Sequence, residues 1–104
     1  MTRPALLNAR VVGEWTAAHS RWSVVDGHLV RYVRTNDYAS GARIIAAQVA
    51  VADGLDHHPT VTFEYRRLRF EVWTHDRDGL TQLDLDYAEG LDALLDDDFA
   101  DVVR

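Results

Sequence analysis

The sequence predicts an α+β domain of two layers, in which helices cover one face of a four-stranded antiparallel sheet in the order α-β-β-α-β-β-α. Three observations predict it. Two pairs of short segments with strand alternation are each joined by a tight turn, and hairpins make antiparallel sheet. Segments with apolar residues at helical spacing lie before, between and after those pairs. Amphipathic helices must bury their stripes, and a sheet face is the surface that can receive them.

Each element has its own signal. Leu7, Val11, Trp15 and Ala18 recur at helical spacing, so a short helix opens the chain, with Pro4 tolerated in its first turn. Residues 22–25 and 28–34 read as strands around the hairpin dipeptide Asp26-Gly27. Asn36 or Asp37 caps the next helix, whose buried stripe is Tyr38, Ala42, Ile45, Val49 and Ala52. Gly54 is placed to end it in a left-handed conformation. Val61, Phe63 and Tyr65 alternate with polar residues, as do Leu68, Phe70 and Val72, and Arg66-Arg67 is the expected turn between them. The last helix starts near Thr81, with Leu83, Tyr87, Leu91 and Leu94 or Leu95 inward. Thr81-x-x-Asp84 has the form of a capping box.

Composition narrows the function. The 104 residues predict one domain spanning 1–104, long enough to bury roughly two-thirds of the unfolded chain's surface. The formal net charge of -6 argues against a nucleic-acid partner, since phosphate neutralisation needs a basic face. Part of that charge lies in Asp96-Asp97-Asp98 and Asp101. This acidic end, residues 96–104, reads as a solvated helix end or tail. The absence of cysteine excludes disulfides and thiolate metal sites. Asn8, Arg10, Glu14 and His19 interrupt any secretory apolar run, and no segment approaches the ~20 apolar residues that span a membrane. A cytoplasmic protein with no membrane contact is the expectation.

The chemistry concentrates in Asp56-His57-His58-Pro59 and His75. Imidazole exchanges protons near neutrality without large tuning. Pro59 pushes His58 toward extended geometry, so His57 and His58 point apart unless the chain turns there. His75 ends the strand that pairs with the one starting after Pro59, and the hairpin brings it beside the histidine pair. His19 and His28 read as ordinary surface or core histidines. A zinc site remains an alternative, because zinc accepts three histidines with an open position.

Asp53-x-x-x-His57-His58-Pro59, then Tyr65, His75 and Asp84, resembles the signature of the pterin-4a-carbinolamine dehydratase family. Thr74-His75-Asp76-x-x-Gly79-Leu80-Thr81-x-x-Asp84 is similar to its second block, and Trp22, Asp26-Gly27, Leu29-x-Arg31-x-Val33 and Asp37-Tyr38 extend the likeness over roughly residues 15 to 95. The resemblance implies dehydration of 4a-hydroxytetrahydrobiopterin to the quinonoid dihydropterin, with the pterin as substrate and no cofactor or metal. It implies His57, His58 and His75 as the catalytic, pterin-contacting set. It implies Asp56, Pro59, Trp73, Thr74 and Asp76 as further substrate-pocket residues, and Asp53 and Asp84 as supporting acids. It also implies a homodimer or homotetramer.

Several residues depart from the commoner family pattern. Asp53 is shorter than the usual glutamate, Thr60-Val61 replaces an acid and a tryptophan, and Trp73 is bulkier than its usual counterpart. Trp73 could narrow the pocket or stack on a flat ring. Gly90 weakens the last helix by about 1 kcal/mol relative to alanine if interior. Two alternatives share the fold: a non-enzymatic dimerisation or assembly factor, and an acid–base enzyme acting on another hydroxylated compound.

Overall fold

The computed structural model describes residues 4–104, and the first three residues of the predicted domain lie outside them. Among the described residues the order is α1 (Ala9–Ala18), β1 (Ser23–Val25), β2 (His28–Arg34), α2 (Tyr38–Leu55), β3 (Thr60–Glu64), β4 (Arg67–Val72) and α3 (Gln82–Asp98), with a 3-10 turn at His75–Arg77. The strands form one antiparallel sheet in the order β1-β2-β4-β3. This is the α+β class and the element order the sequence predicts. No helix of the described residues is long and apolar enough to cross a membrane.

Register builds the core. Leu29, Arg31 and Val33 of β2 stand opposite Val72, Phe70 and Leu68 of β4, so these residues share the face under the helices. Val12, Ile44, Ala52, Leu85, Tyr87, Leu91 and Leu95 close over that face. Arg31 is the polar exception. It donates to Asp92 on α3, which also accepts from Trp22 Nε1 at 2.9 Å.

Two helix faces differ from the predicted ones. In α1, Asn8 caps the helix by accepting from the Val11 amide at 2.9 Å, and Val12 rather than Val11 is buried. Leu7 and Pro4 precede the helix, with the Leu7 amide bound to the Leu80 carbonyl at 2.8 Å. In α2, Asp37 is the cap, while Tyr38, Ala42 and Val49 of the predicted stripe face outward. The inward residues are Ser40, Gly41, Ile44, Gln48 and Ala52. Hydrophobicity hid this face because two of its residues act by other means. Gln48 accepts from the buried Tyr87 hydroxyl at 2.7 Å, and burial raises the Tyr87 pKa. Gly41 admits the Phe63 ring, since a Cβ there would lie 2.6 Å from Phe63 Cε1. Gly41→Ala is expected to destabilise the fold by about 1–3 kcal/mol through overpacking, read as a lower thermal midpoint. Gly90 has the same use. A Cβ there would meet Val51 Cγ1 at 2.7 Å, so the glycine lets α3 approach α2.

The β3–β4 turn is Tyr65-Arg66, one residue earlier than predicted, because Glu64 pairs with Arg67. Tyr65 takes a positive φ of 28°, with the Arg66 guanidinium 4.9 Å from its ring centre. The acidic C-terminal end is exposed along Asp96-Asp97-Asp98, but it is not a free tail. Asp96 pairs with Arg21 at 2.8 Å, and that hydrogen bond holds its carboxyl below the usual range. Val103 bridges Thr35, and the Arg104 amide binds the Arg34 carbonyl at 2.9 Å, extending β2 beyond its end.

Candidate active site

The end of α2 sets the site. The His57 amide reaches the Ala52 carbonyl at 3.0 Å and the Asp56 amide reaches that of Asp53 at 3.1 Å, which is a Schellman closure. Asp56, not Gly54, takes the left-handed position, at φ 48°. Aspartate tolerates this region better than most residues. The sharp reversal sends His57 inward and His58 outward: His57 is 9% exposed, whereas the His58 side chain is 55% exposed. Beyond β4, the Thr74 amide binds the Gly79 carbonyl at 2.9 Å and closes the short loop that carries His75 and Asp76.

These segments frame a cavity of about 390 Å³ lined by Pro4, Asp56, His57, His58, Thr74, His75, Asp76 and Leu83. The three predicted histidines therefore converge on one space, together with Asp56, Thr74 and Asp76. Pro59 and Trp73 lie outside the lining set, whereas Leu83 and Pro4 join it. Leu83 carried a core signal in the sequence, and Pro4 carried none. Among the described residues no group of three or more His, Cys, Asp or Glu side chains could hold a metal ion.

Asp84 is the buried anchor. Its Oδ1 accepts from His57 Nε2 at 2.5 Å, and its Oδ2 accepts from the Thr74 hydroxyl at 2.9 Å and the Thr81 amide at 2.8 Å. It completes the α3 capping box and holds an imidazole at once. A hydroxyl has one proton, so with Thr74 donating to Asp84, the Thr81 hydroxyl donates to Thr74 at 2.7 Å. A carboxylate only accepts, which puts a proton on His57 Nε2 and leaves Nδ1 with the lone pair in the neutral ring. Asp53 does the same for His58, accepting from Nε2 at 2.8 Å in an exposed pair. Asp84→Asn should remove acceptor capacity that buried donors use. A loss of about 1–3 kcal/mol is expected, seen as a shifted denaturant midpoint with an unchanged slope.

His75 is held differently. Its ring stacks on Trp73 with centroids 4.2 Å apart and planes within 5°. His28 also stacks on Trp73, at 3.8 Å and 4°, and because two imidazoles parallel to one indole at these distances would collide on a single side, the pair flanks it. His28 Nδ1 donates to Glu71 at 2.6 Å, and that hydrogen bond, helped by Arg69, keeps the Glu71 carboxyl below its ordinary range against the opposing effect of burial. Sequence reasoning gave His28 no role. The missed signal is the β2–β4 register, which pairs Leu29 with Val72 and so brings His28 beside Trp73.

The chain matches the family model for pterin 4 alpha carbinolamine dehydratase over residues 5–94. A Metallosphaera sedula protein bearing the provisional name of a pterin-4-alpha-carbinolamine dehydratase is 40% identical over 73 residues, which are 70% of this chain and 76% of that one. A similarly named Chloroflexus aurantiacus protein is 27% identical over 86% of this chain and 96% of its own. The crystal structure of a transcriptional coactivator/pterin dehydratase from Brucella melitensis superposes with a TM-score of 0.82 at 27% identity, covering 86% of this chain and 98% of that one. A pterin dehydratase-like protein identified as a RuBisCO assembly factor shares the fold, with a TM-score of 0.57 at 17% identity over 71% of this chain and 86% of that one. The matched segment contains every residue that lines the histidine cavity except Pro4, and the chain belongs to the pterin 4 alpha carbinolamine dehydratase family.

Proposed function

We propose that this chain is a dehydratase that converts 4a-hydroxytetrahydrobiopterin to quinonoid dihydrobiopterin and water. The observation that carries the reading is the convergence of His57, His58 and His75 on one cavity of about 390 Å³. That volume lies in the range of small-molecule sites, about 300–1,000 Å³. The reaction breaks the C4a–O bond and removes the N5 proton, and the electron pair of the N5–H bond becomes the new N5–C4a double bond. One proton goes to the departing hydroxyl and one leaves N5, so the step needs an acid and a base but no net proton. Histidines suit both tasks, and the pterin is substrate rather than cofactor. Asp84 and Asp53 keep two of the imidazoles in one tautomer and orientation, while Asp56, Thr74 and Asp76 supply polar groups for the pterin ring.

The direct test follows the decay of 4a-hydroxytetrahydrobiopterin with and without the protein at neutral pH. Catalytic amounts should accelerate the decay. A rate equal to the spontaneous one sinks the assignment. The pH profile of kcat/KM should be bell-shaped, with limbs that belong to the cluster as a unit.

A homodimer or homotetramer in the cytoplasm belongs to the same reading. Two features support self-association: the open edges of β1 and β3, and the outward apolar residues of α2, with Tyr38 55% and Val49 45% exposed. Light scattering at micromolar concentration should give a multiple of the 11.8 kDa chain mass.

A further inference from the structure

We propose that Trp73, clamped from behind by His28, is a positioning residue that fixes the ring plane of His75 at the mouth of the cavity. The inference rests on the dehydratase reading and deepens it. The site uses two different devices for its imidazoles. Carboxylates hold His57 and His58 at their ring edges. His75 is instead held on its flat face, 4.2 Å from the Trp73 ring with planes within 5°.

Such a contact restrains the ring strongly. Rotation about the bond from Cβ to the ring tilts the imidazole off the indole and loses the stack. Only a half-turn restores it, and that exchanges each ring nitrogen with a ring carbon, Nδ1 with Cδ2 and Nε2 with Cε1. The stack thus selects a plane, and within it two orientations, for a residue carried on a surface 3-10 turn.

The indole needs a restraint of its own, because a partly buried tryptophan at a strand end can swing. His28 supplies it, stacked at 3.8 Å and 4° on the opposite face. His28 is fixed in turn by Glu71 at 2.6 Å, and Glu71 by Arg69 at 2.7 Å. The chain of contacts runs from the middle of the sheet's open face to the cavity, through residues on β2 and β4. Trp73 is not among the residues that line the cavity, so its effect on substrate passes through His75.

The consequence for chemistry is geometric. A proton moves between His75 and the pterin only when a ring nitrogen lies within hydrogen-bond reach and in line. Misplacing a reacting group by about 1 Å costs up to ~10²-fold in rate. A loosened ring spends less time in the productive plane, which lowers kcat while leaving KM largely unchanged.

The test compares Trp73→Leu, which keeps bulk without a flat face, with Trp73→Phe, which keeps the face, and adds His28→Ala. Two readouts are taken on each: kcat and KM for 4a-hydroxytetrahydrobiopterin, and the ring C–H shifts of His75 in a histidine-labelled sample. The expected result is about a tenfold fall in kcat for Trp73→Leu with KM within about twofold, and activity within about threefold of wild type for Trp73→Phe. His28→Ala should fall between them. The His75 ring protons, shielded by the indole in the wild type, should move downfield in Trp73→Leu and partway in His28→Ala. Unmoved His75 shifts in Trp73→Leu overturn the proposal. So does equal impairment of Trp73→Phe and Trp73→Leu, or a loss confined to KM. If the wild type fails to accelerate the dehydration, the dehydratase reading fails separately, and the positioning claim is decided by the His75 shifts alone.

Discussion

Alanine at His58 or His75 is expected to slow the dehydration of 4a-hydroxytetrahydrobiopterin by about 10²- to 10⁴-fold in kcat/KM, the contribution of one positioned acid or base. These two positions make the clean experiment. His75 is exposed and the His58 side chain is 55% exposed, so truncating either leaves the core intact. The His58–Asp53 pair is solvent-exposed and adds little to stability. Both variants should therefore keep the wild-type thermal midpoint while losing turnover. His57→Ala would confound the two effects, because it leaves the buried Asp84 without its 2.5 Å donor. Single-turnover mixing of the 4a-hydroxypterin with excess enzyme measures the chemical step itself. Equal rates for wild type, His58→Ala and His75→Ala would refute histidine acid–base catalysis even with dehydratase activity intact.

Asp92→Ala is expected to produce the largest loss of stability in the chain, about 3–5 kcal/mol, because it strips a buried arginine of its counter-charge. Arg31 is 4% exposed and Asp92 7%. Asp92 receives both Arg31 and the Trp22 indole N–H, and Arg21 lies 3.7 Å from its other oxygen. Burial lowers the Arg31 pKa, opposed by Asp92, and its Nε has no hydrogen-bond partner among the described residues. Without Asp92 the guanidinium would be buried with little to compensate it. At about 4–8 °C per kcal/mol for a domain of this size, the thermal midpoint should drop by about 12–40 °C. The control is Asp96→Ala, which breaks the exposed pair with Arg21 and should leave the midpoint nearly unchanged. A similar fall in both variants would show that the buried network contributes nothing special.

The fold class was legible because period and turn chemistry agreed along the whole chain. Asp26-Gly27, with φ of 52° and 79°, and the Thr81-x-x-Asp84 cap were read from local residues alone, and local residues decide them. The faces of α1 and α2 were not legible. Which side of a helix is buried depends on its partner, and in α2 the partners are a phenylalanine that needs a glycine and a tyrosine that needs an amide. The histidine convergence followed from hairpin geometry, since β3 and β4 are neighbours in both sequence and sheet. The dual use of Asp84 and the His28–Trp73–His75 stack needed strand register and side-chain direction, which no spacing rule contains. The positive φ of Asp56 was hidden for a simpler reason: Gly54, two residues earlier, carried the stronger signal for a helix end.

The reciprocal bonds of Asp84 also join two events that are separate in most enzymes. The first turn of α3 cannot fray without releasing the His57 ring, because one carboxylate closes the helix start and orients the imidazole. The opening of that turn and the dissolution of the site are then a single local unfolding reaction. Anything that fills the cavity and favours the ordered His57 must slow amide exchange at the start of α3, by linkage, without touching the helix backbone.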